Sequence, residues 1–294
     1  MFFFSVIIPT FNNLEKVKKT LNSLEQQVYK NFETILIDDG STDGTKDFII
    51  KNYNKSKINL KYFFTKNSGS PAVPRNIGIS KSNGHWICFL DSDDFWYNNK
   101  LLLVKEKIDI SKNLYDLYYH KEHLINDKNK IIINKKKYSN NIYYNLIFRG
   151  NICSTSATIV NSDFIKKKNI AFNENKKFIS VEDYDFWLKI AYNKGRFCFI
   201  DQVLGVYQIH DNNLTKNILW HKKKNLMLIY YHIFSYQKIF NNKKKLWKKY
   251  LLIYYFELLM IKIFKLNKIK YFKILIKLIF KNPLIILHYI NRKF

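Results

Sequence analysis

The sequence predicts an α/β fold, a mainly parallel sheet flanked by helices, with a basic helical extension at its C-terminal end. Three observations predict it. Up to about residue 100, short apolar runs alternate with segments of helical periodicity, the pattern of a parallel sheet covered on both faces. Three of those runs end in polar clusters, Pro9-Thr10, Asp38-Asp39 and Asp91-Ser92-Asp93-Asp94, where such sheets place their ligands. Acidic residues nearly vanish after residue 214.

The elements follow in order. Residues 4–9 (FSVIIP) read as a buried strand ended by Pro9. Leu14, Val17, Leu21 and Leu24 recur at helical spacing and place a helix over 13–26. Residues 33–38 are a second strand, and Ser41-Thr42-Asp43 opens a helix over 41–53 that carries Phe48, Ile49 and Ile50. A third strand over 60–64, a short helix over 76–82 and a fourth strand over 85–90 complete this part. Beyond residue 100 the pattern loosens to a helix at 101–109, a hairpin within 115–134 and a strand at 155–161. An amphipathic helix follows at 181–193, then two strands about Asp201-Gln202 within 197–208. The tail reads as helical from about residue 219, with Lys262, Lys265, Lys273, Lys277 and Lys281 three or four residues apart or multiples of that. The expected division is 1–100, 101–214 and 215–294, without internal repeats.

Composition narrows the class. Of 294 residues 47% are hydrophobic and 25% charged, enough for a packed core and against intrinsic disorder. Three cysteines with no paired spacing (Cys88, Cys153, Cys198) argue against a disulfide scaffold or a CxxC zinc module and fit a reducing cytosol. Met1 leads straight into a short apolar run and Pro9, so no signal peptide is read, and no uncharged apolar stretch reaches the ~18 residues of a membrane span. The net charge is +27. Residues 215–294 hold 19 basic residues and one acid, Glu257, whereas the first 214 hold the other 31 basic and 22 acidic residues. AT-rich codon usage explains abundant Lys, Asn and Ile, but not the loss of acids from the tail.

Four constellations could carry chemistry, and each has a plainer reading. Asp91-x-Asp93, with Asp94 beside it, crowds carboxylates at a strand end. A divalent cation such as Mg²⁺ or Mn²⁺ would relieve their repulsion, and an acidic helix start would also account for them. Asp38-Asp39-Gly40-Ser41-Thr42-Asp43 could offer an acid to a ribose or base, or simply cap the next helix. Arg75 follows a Gly/Pro-containing loop and could neutralise a phosphate, or pair with a surface carboxylate. Glu182-Asp183 opens a helix, either as dipole complement or as general base. His210 is a lone histidine near a strand end, for which a structural role is the plainer reading.

Taken together, SVIIPTFN, ILIDDGSTDGT, NSGSPAVPRNIG, G-x-W-I-C-F-L-DSDDFW, VEDYDFWLK and YQIHDNN resemble family 2 glycosyltransferases, in that family's order, over residues 4 to about 214. The match is close for 4–96 and looser for 151–214. The resemblance implies the GT-A fold, a Rossmann-like nucleotide-diphospho-sugar transferase architecture, with 1–100 holding the donor and 101–214 the acceptor and catalytic base. It implies that Pro9, Thr10, Asp38, Asp39, Arg75, Asp91 and Ser92 face the nucleotide. Asp93 with Asp91 forms the DXD-type metal site for Mn²⁺ or Mg²⁺, His210 stands near the metal or diphosphate, Asp183 is the catalytic base and Glu182 lies toward the acceptor. A QxxRW motif and multiple spans, marks of the processive members, are absent from the sequence, so transfer of a single sugar is expected.

The expected reaction is inverting and metal-assisted, from a UDP-hexose or UDP-N-acetylhexosamine to a saccharide hydroxyl. The expected acceptor is lipid-linked, in bacterial polysaccharide or lipopolysaccharide synthesis. Residues 215–294, lysines among Leu, Ile, Phe and Tyr, would hold the enzyme peripherally on the anionic inner face of the cell membrane; a helical subdomain with solvated lysines is the alternative. Rival classes are a catalytically silent nucleotide-binding module and nucleic-acid binding through the tail; for the body, the acidic strand ends count against nucleic acid. A nucleotidyltransferase would carry a Gly-rich basic loop where PTFNNLEK stands.

Overall fold

The computed structural model describes residues 3–53, 58–126, 130–133, 141–209 and 217–286. The chain divides into two compact units, Met1–Lys137 with Cys153–Asn213, and Tyr138–Ile152 with Leu214–Phe294.

In chain order the elements are β1 (Phe4–Thr10), α1 (Leu14–Glu25), β2 (Phe32–Asp38), α2 (Thr45–Tyr53), β3 (Asn59–Phe64), α3 (Ala72–Lys81) and β4 (Trp86–Phe89). There follow β5 (Phe95–Trp96), α4 (Lys100–Ile110), β6 (Leu117–Ile125), β7 (Lys130–Ile133), α5 (Ile142–Arg149), β8 (Thr158–Asn161), α6 (Ser162–Lys167), α7 (Glu182–Tyr192) and β9 (Phe197–Gln208). The C-terminal helices are α8 (Ile218–Tyr231), α9 (Lys243–Met260) and α10 (Phe272–Lys281).

In the first unit the strands form one sheet in the order β3-β2-β1-β4-β8-β6-β9-β5, with β7 paired to β6. β3, β2, β1 and β4 run parallel. Every residue of β1, β2 and β4 is buried, which is why these strands read as continuous apolar runs rather than alternating ones. The second half of the sheet is mixed: β8 runs antiparallel to β4 and β6, while β9 runs parallel to β6. The chain builds outward from β1 through β2 to β3, then returns to lay β4 on the other side of β1. Open α/β sheets place their ligand crevice at such a reversal, here beyond the carboxyl ends of β1 and β4. α3 closes onto β1 at Gly78, where a Cβ would come within 2.3 Å of the Ile7 side chain.

Several sequence expectations shift. The helix expected from Ser41 begins at Thr45, because Asp43 spends its carboxylate on the Leu14 amide (2.8 Å) and on Thr45 (2.6 Å). The helix expected from residue 76 already begins at Ala72, with Pro74 in its first turn. The two strands expected about Asp201-Gln202 are one strand, β9, with a bulge: both residues are exposed, the register against β6 slips there, and Asp201 pairs with Lys121. The expected hairpin in 115–134 is β6–β7.

The second unit takes α5 together with α8–α10, so residues 138–152 group with the C-terminal helices rather than with 101–214. Tyr143 of α5 bonds His232 (3.1 Å), and Lys249 of α9 donates to the Tyr144 hydroxyl (2.8 Å). Lys222 of α8 pairs with Glu257 of α9. Among the described residues no helix is long and apolar enough to cross a membrane.

Candidate active site

The polar strand ends meet at the crevice beside β1. Thr10 ends β1, and its carbonyl accepts the Asp39 amide (2.8 Å). Its hydroxyl oxygen is buried with no hydrogen-bond partner among the described residues. Pro9 is buried within the strand, whereas Phe11, directly after Thr10, is 49% exposed.

The two aspartates that end β2 divide their work. Asp38 is buried and accepts from the Ser41 amide (2.8 Å) and the Tyr62 hydroxyl (2.6 Å), so its carboxylate is committed to the loop and to β3. Asp39 accepts from the amide (3.0 Å) and hydroxyl (2.8 Å) of Ser68 in the loop before α3. Burial raises its pKa, the adjacent Asp38 adds to the rise, and the two Ser68 bonds oppose it. Gly40 takes φ +85° and passes so close to Asn67 that a Cβ would lie 2.7 Å from the Asn67 nitrogen, so the turn demands glycine.

Arg75, in the first turn of α3, joins the first half of the sheet to the second. It is buried, donates to Asp91 (2.7 Å) and to Glu182 (2.9 Å), and lies over the Phe172 ring at 5.4 Å. Asn76 fixes that ring's backbone by exchanging hydrogen bonds with both the nitrogen and the oxygen of Phe172 (2.9 Å each). Burial opposes the guanidinium charge, but Asp91, Glu182 and Asp183 outweigh it and keep Arg75 cationic. Arg75 Nε and Glu182 Oε2 are buried without a hydrogen-bond partner among the described residues, two unspent polar atoms side by side with a charged triad.

The acidic loop after β4 is held from several directions. Ser156 is its hub: its hydroxyl accepts the Asp91 amide (3.0 Å) and donates to Asp94 (2.5 Å). The Ser156 carbonyl takes Trp96 Nε1 (2.8 Å) and the buried Lys100 Nζ (2.7 Å). Thr20 of α1 donates to the carbonyls of Ser92 (3.0 Å) and Asp94 (2.7 Å), and Asn13 donates to the Ser92 hydroxyl (3.2 Å). Asp94 is buried, also accepts the Gln208 amide at the end of β9 (2.9 Å), and burial with Asp93, Asp91 and Glu122 nearby raises its pKa well above the carboxylate range. Asp94 and Ser92 therefore anchor the loop, while Asp91 and Asp93 stay partly exposed.

Glu182 and Asp183 open α7, where the helix dipole favours their charge. Asp183 is partly exposed, and burial together with the Glu182 charge pushes its pKa up to about 7, against the pull of Arg75. A carboxylate poised there suits proton abstraction at neutral pH.

The residues suit a divalent cation of the Mg²⁺ or Mn²⁺ type in one specific way. Among the described residues no group of three or more His, Cys, Asp or Glu is arranged to hold a metal. Asp93 and the outer oxygen of Asp91 supply hard oxygen donors, a small protein share of the kind such cations take when phosphate oxygens complete the shell. His210 lies outside the described residues. Thus Thr10, Asp39, Asp91 and Asp93 follow the carboxyl ends of β1, β2 and β4, and Arg75 ties Asp91 to Glu182, next to Asp183, while Asp38 and Ser92 serve the loops. Phe11 and Ser156 escaped the sequence reading, and Asp94, read there as one of the crowded acids, proves to be a buried loop anchor; an aromatic one residue past a strand-end Thr was the available signal for Phe11, and Ser156 had none.

Residues 5–163 match the family described as Glycosyl transferase family 2. The chain is 31% identical to the amylovoran biosynthesis glycosyltransferase AmsB of Erwinia amylovora, over 70% of this chain and 69% of that protein. It is 30% identical to the Escherichia coli UDP-Glc:alpha-D-GlcNAc-diphosphoundecaprenol beta-1,3-glucosyltransferase WfaP, over 72% of this chain and 80% of that one. The structure of Staphylococcus aureus TarS 1-349 in complex with UDP-GlcNAc superposes with a TM-score of 0.66 at 26% identity, over 85% of this chain and 72% of that one. Against three Rickettsia relatives the match spans 29–34% of their length.

Proposed function

Because the chain belongs to glycosyl transferase family 2, we propose that it transfers a single sugar from a nucleoside-diphosphate sugar to a hydroxyl of a saccharide acceptor. The observation that carries this reading is the buried Arg75, braced between Asp91 and Glu182 and beside the poised Asp183, at the crevice of the sheet. The UDP-GlcNAc complex of the structurally similar TarS supports a UDP-sugar donor. The names of AmsB and WfaP support an acceptor in bacterial polysaccharide synthesis, and WfaP supports a lipid-diphosphate-linked one.

Thr10 and Asp39 bind the nucleoside, the first through its unspent hydroxyl, the second through carboxylate lone pairs left over from Ser68. Arg75 orients the diphosphate of the donor with the N–H groups that Asp91 and Glu182 leave unspent, Nε among them. Asp93 and Asp91 would hold Mn²⁺ or Mg²⁺, which when bound supplies Lewis-acid neutralisation of the diphosphate leaving group. Asp183 accepts the proton of the acceptor hydroxyl as that oxygen attacks the anomeric carbon, while Glu182 holds Arg75 on the acceptor side. One base and one displacement invert the anomeric centre. The basic C-terminal region keeps the enzyme at the anionic inner surface of the membrane, where a lipid-linked acceptor resides.

Asp183→Asn tests the reading. Release of nucleoside diphosphate in the presence of acceptor should fall by about 10²–10⁴-fold, the usual weight of a general base, while nucleotide binding survives. Full transfer activity in that variant would remove Asp183 as the base.

A further inference from the structure

The C-terminal helices differ in how they spend their apolar surface. α9 buries Tyr250, Ile253, Tyr254 and Phe256, and its Glu257 answers Lys222 of α8. α10 buries only Leu275. With Ile263, Phe256 and Ile285, Leu275 forms a small core against which Leu278 and Ile279 pack.

Helical geometry sorts most of the rest of α10 into two stripes, with the exposed Ile274 on the far side of the second. At about 100° per residue, positions four apart stay on one face. Phe272, Ile276 and Phe280 are spaced in this way and are 46%, 38% and 83% exposed. Lys273, Lys277 and Lys281, each one position later, form an exposed basic stripe beside them. Phe264 and Ile269 before the helix and Leu284 after it are exposed as well. The whole unit, residues 138–152 and 214–294, contains one acid, Glu257, so no other carboxylate of that unit can neutralise these lysines.

We propose that α10 is a membrane-docking helix, lying in the headgroup plane of an anionic bilayer with Phe272, Ile276 and Phe280 inserted and Lys273, Lys277 and Lys281 on lipid phosphates. The occupant follows from charge. A partner protein or second copy would have to cover an apolar face next to an uncompensated row of cations, whereas an anionic bilayer satisfies both stripes at once. The helix is too short to span, which fits docking in the plane. The inference deepens the membrane reading above by assigning docking to one face of one helix rather than to the basic tail at large.

The test is co-sedimentation of the full chain with phosphatidylcholine vesicles, with and without about 30% phosphatidylglycerol, at low and high salt. Lys273→Gln/Lys277→Gln/Lys281→Gln should weaken binding to the anionic vesicles about 100-fold, at roughly fivefold per charge. Phe272→Ala/Ile276→Ala/Phe280→Ala should weaken it at least tenfold and leave residual binding that high salt abolishes. Phe280→Ala alone, at the most exposed of the three sites, gives a smaller loss in the same direction without risk to the fold. Unchanged vesicle binding by the apolar triple, with far-UV circular dichroism intact, would overturn the proposal. So would a concentration-dependent dimer of the parent chain that the apolar triple converts to monomer, since a second copy would then cover the face. Transfer to a soluble saccharide, measured without vesicles in the same variants, separates this from the catalytic reading: docking can fail while transfer stands.

Discussion

Replacing Arg75 by methionine should destabilise the protein and abolish donor binding, and the two losses should separate when Glu182 is changed as well. The Arg75 and Glu182 side chains are each 5% exposed, and Asp91 is 27% exposed. Removing the guanidinium leaves Asp91 able to hydrate but strands the Glu182 carboxylate in a buried site. Breaking a buried pair by deleting one partner costs about 3–5 kcal/mol. At roughly 2–4 °C per kcal/mol for a unit of this size, the melting temperature should fall by about 6–20 °C. Adding Glu182→Gln removes the stranded charge, so Arg75→Met/Glu182→Gln should recover much of the loss, with a coupling of about 2–3 kcal/mol. Nucleotide binding, which needs the cation itself, should stay lost in both variants. Thermal unfolding by circular dichroism and nucleotide calorimetry on all four proteins read the two effects. An Arg75→Met protein that melts with the parent, or a double variant whose losses simply add, would refute the argument that this triad holds the site together.

Other outcomes follow from the same geometry. With the Asp183 pKa raised to about 7, kcat/KM should rise tenfold per pH unit below that value and level above it, and the Asp183→Asn profile should lose this limb. The sign for stability is opposite: a carboxyl whose folded pKa lies above its unfolded value destabilises increasingly as pH rises from about 4 to 7, so Asp183→Asn should gain more in melting temperature at pH 8 than at pH 4. Asp93→Ala should remove metal-dependent turnover, and undiminished turnover of EDTA-treated parent protein would sink the metal role. Ser156→Ala should raise the KM for donor, because the Asp91 amide and Asp94 carboxyl both lose their shared partner; a KM equal to the parent's would show that the loop does not depend on this hub. Phe11→Ala should weaken nucleotide affinity by about 1–3 kcal/mol if its exposed ring stacks on the base, and calorimetry checks it.

The parts of the fold legible in the sequence were those set by local pattern. β1, β2 and β4 are buried on both faces, so they announce themselves as apolar runs, and their polar ends mark the crevice. The two-residue β5, α5 and α6 passed unseen because short elements held by tertiary partners leave little periodicity. The bulge in β9 looked like a chain reversal because Asp201-Gln202 is a polar interruption whichever way the backbone continues. Arg75 was legible as a candidate, but its partner Glu182 lies 107 residues away, a distance only the fold can close. Asp38 and Asp39 are alike in sequence; adjacent strand-end residues point to opposite faces, which sends Asp38 to Tyr62 and Asp39 to the Ser68 loop. In the tail, composition gave the charge, and only the packing of α10 through Leu275 separates the exposed stripes from the covered one.

Calorimetric titration of UDP, GDP, CDP and dTDP, each with and without Mn²⁺, tests the central claim most directly. The account predicts saturable binding of one of them, UDP first, strengthened by Mn²⁺ and lost in Arg75→Met. Failure of all four to bind, with or without the metal, would contradict a nucleotide-sugar site at this crevice.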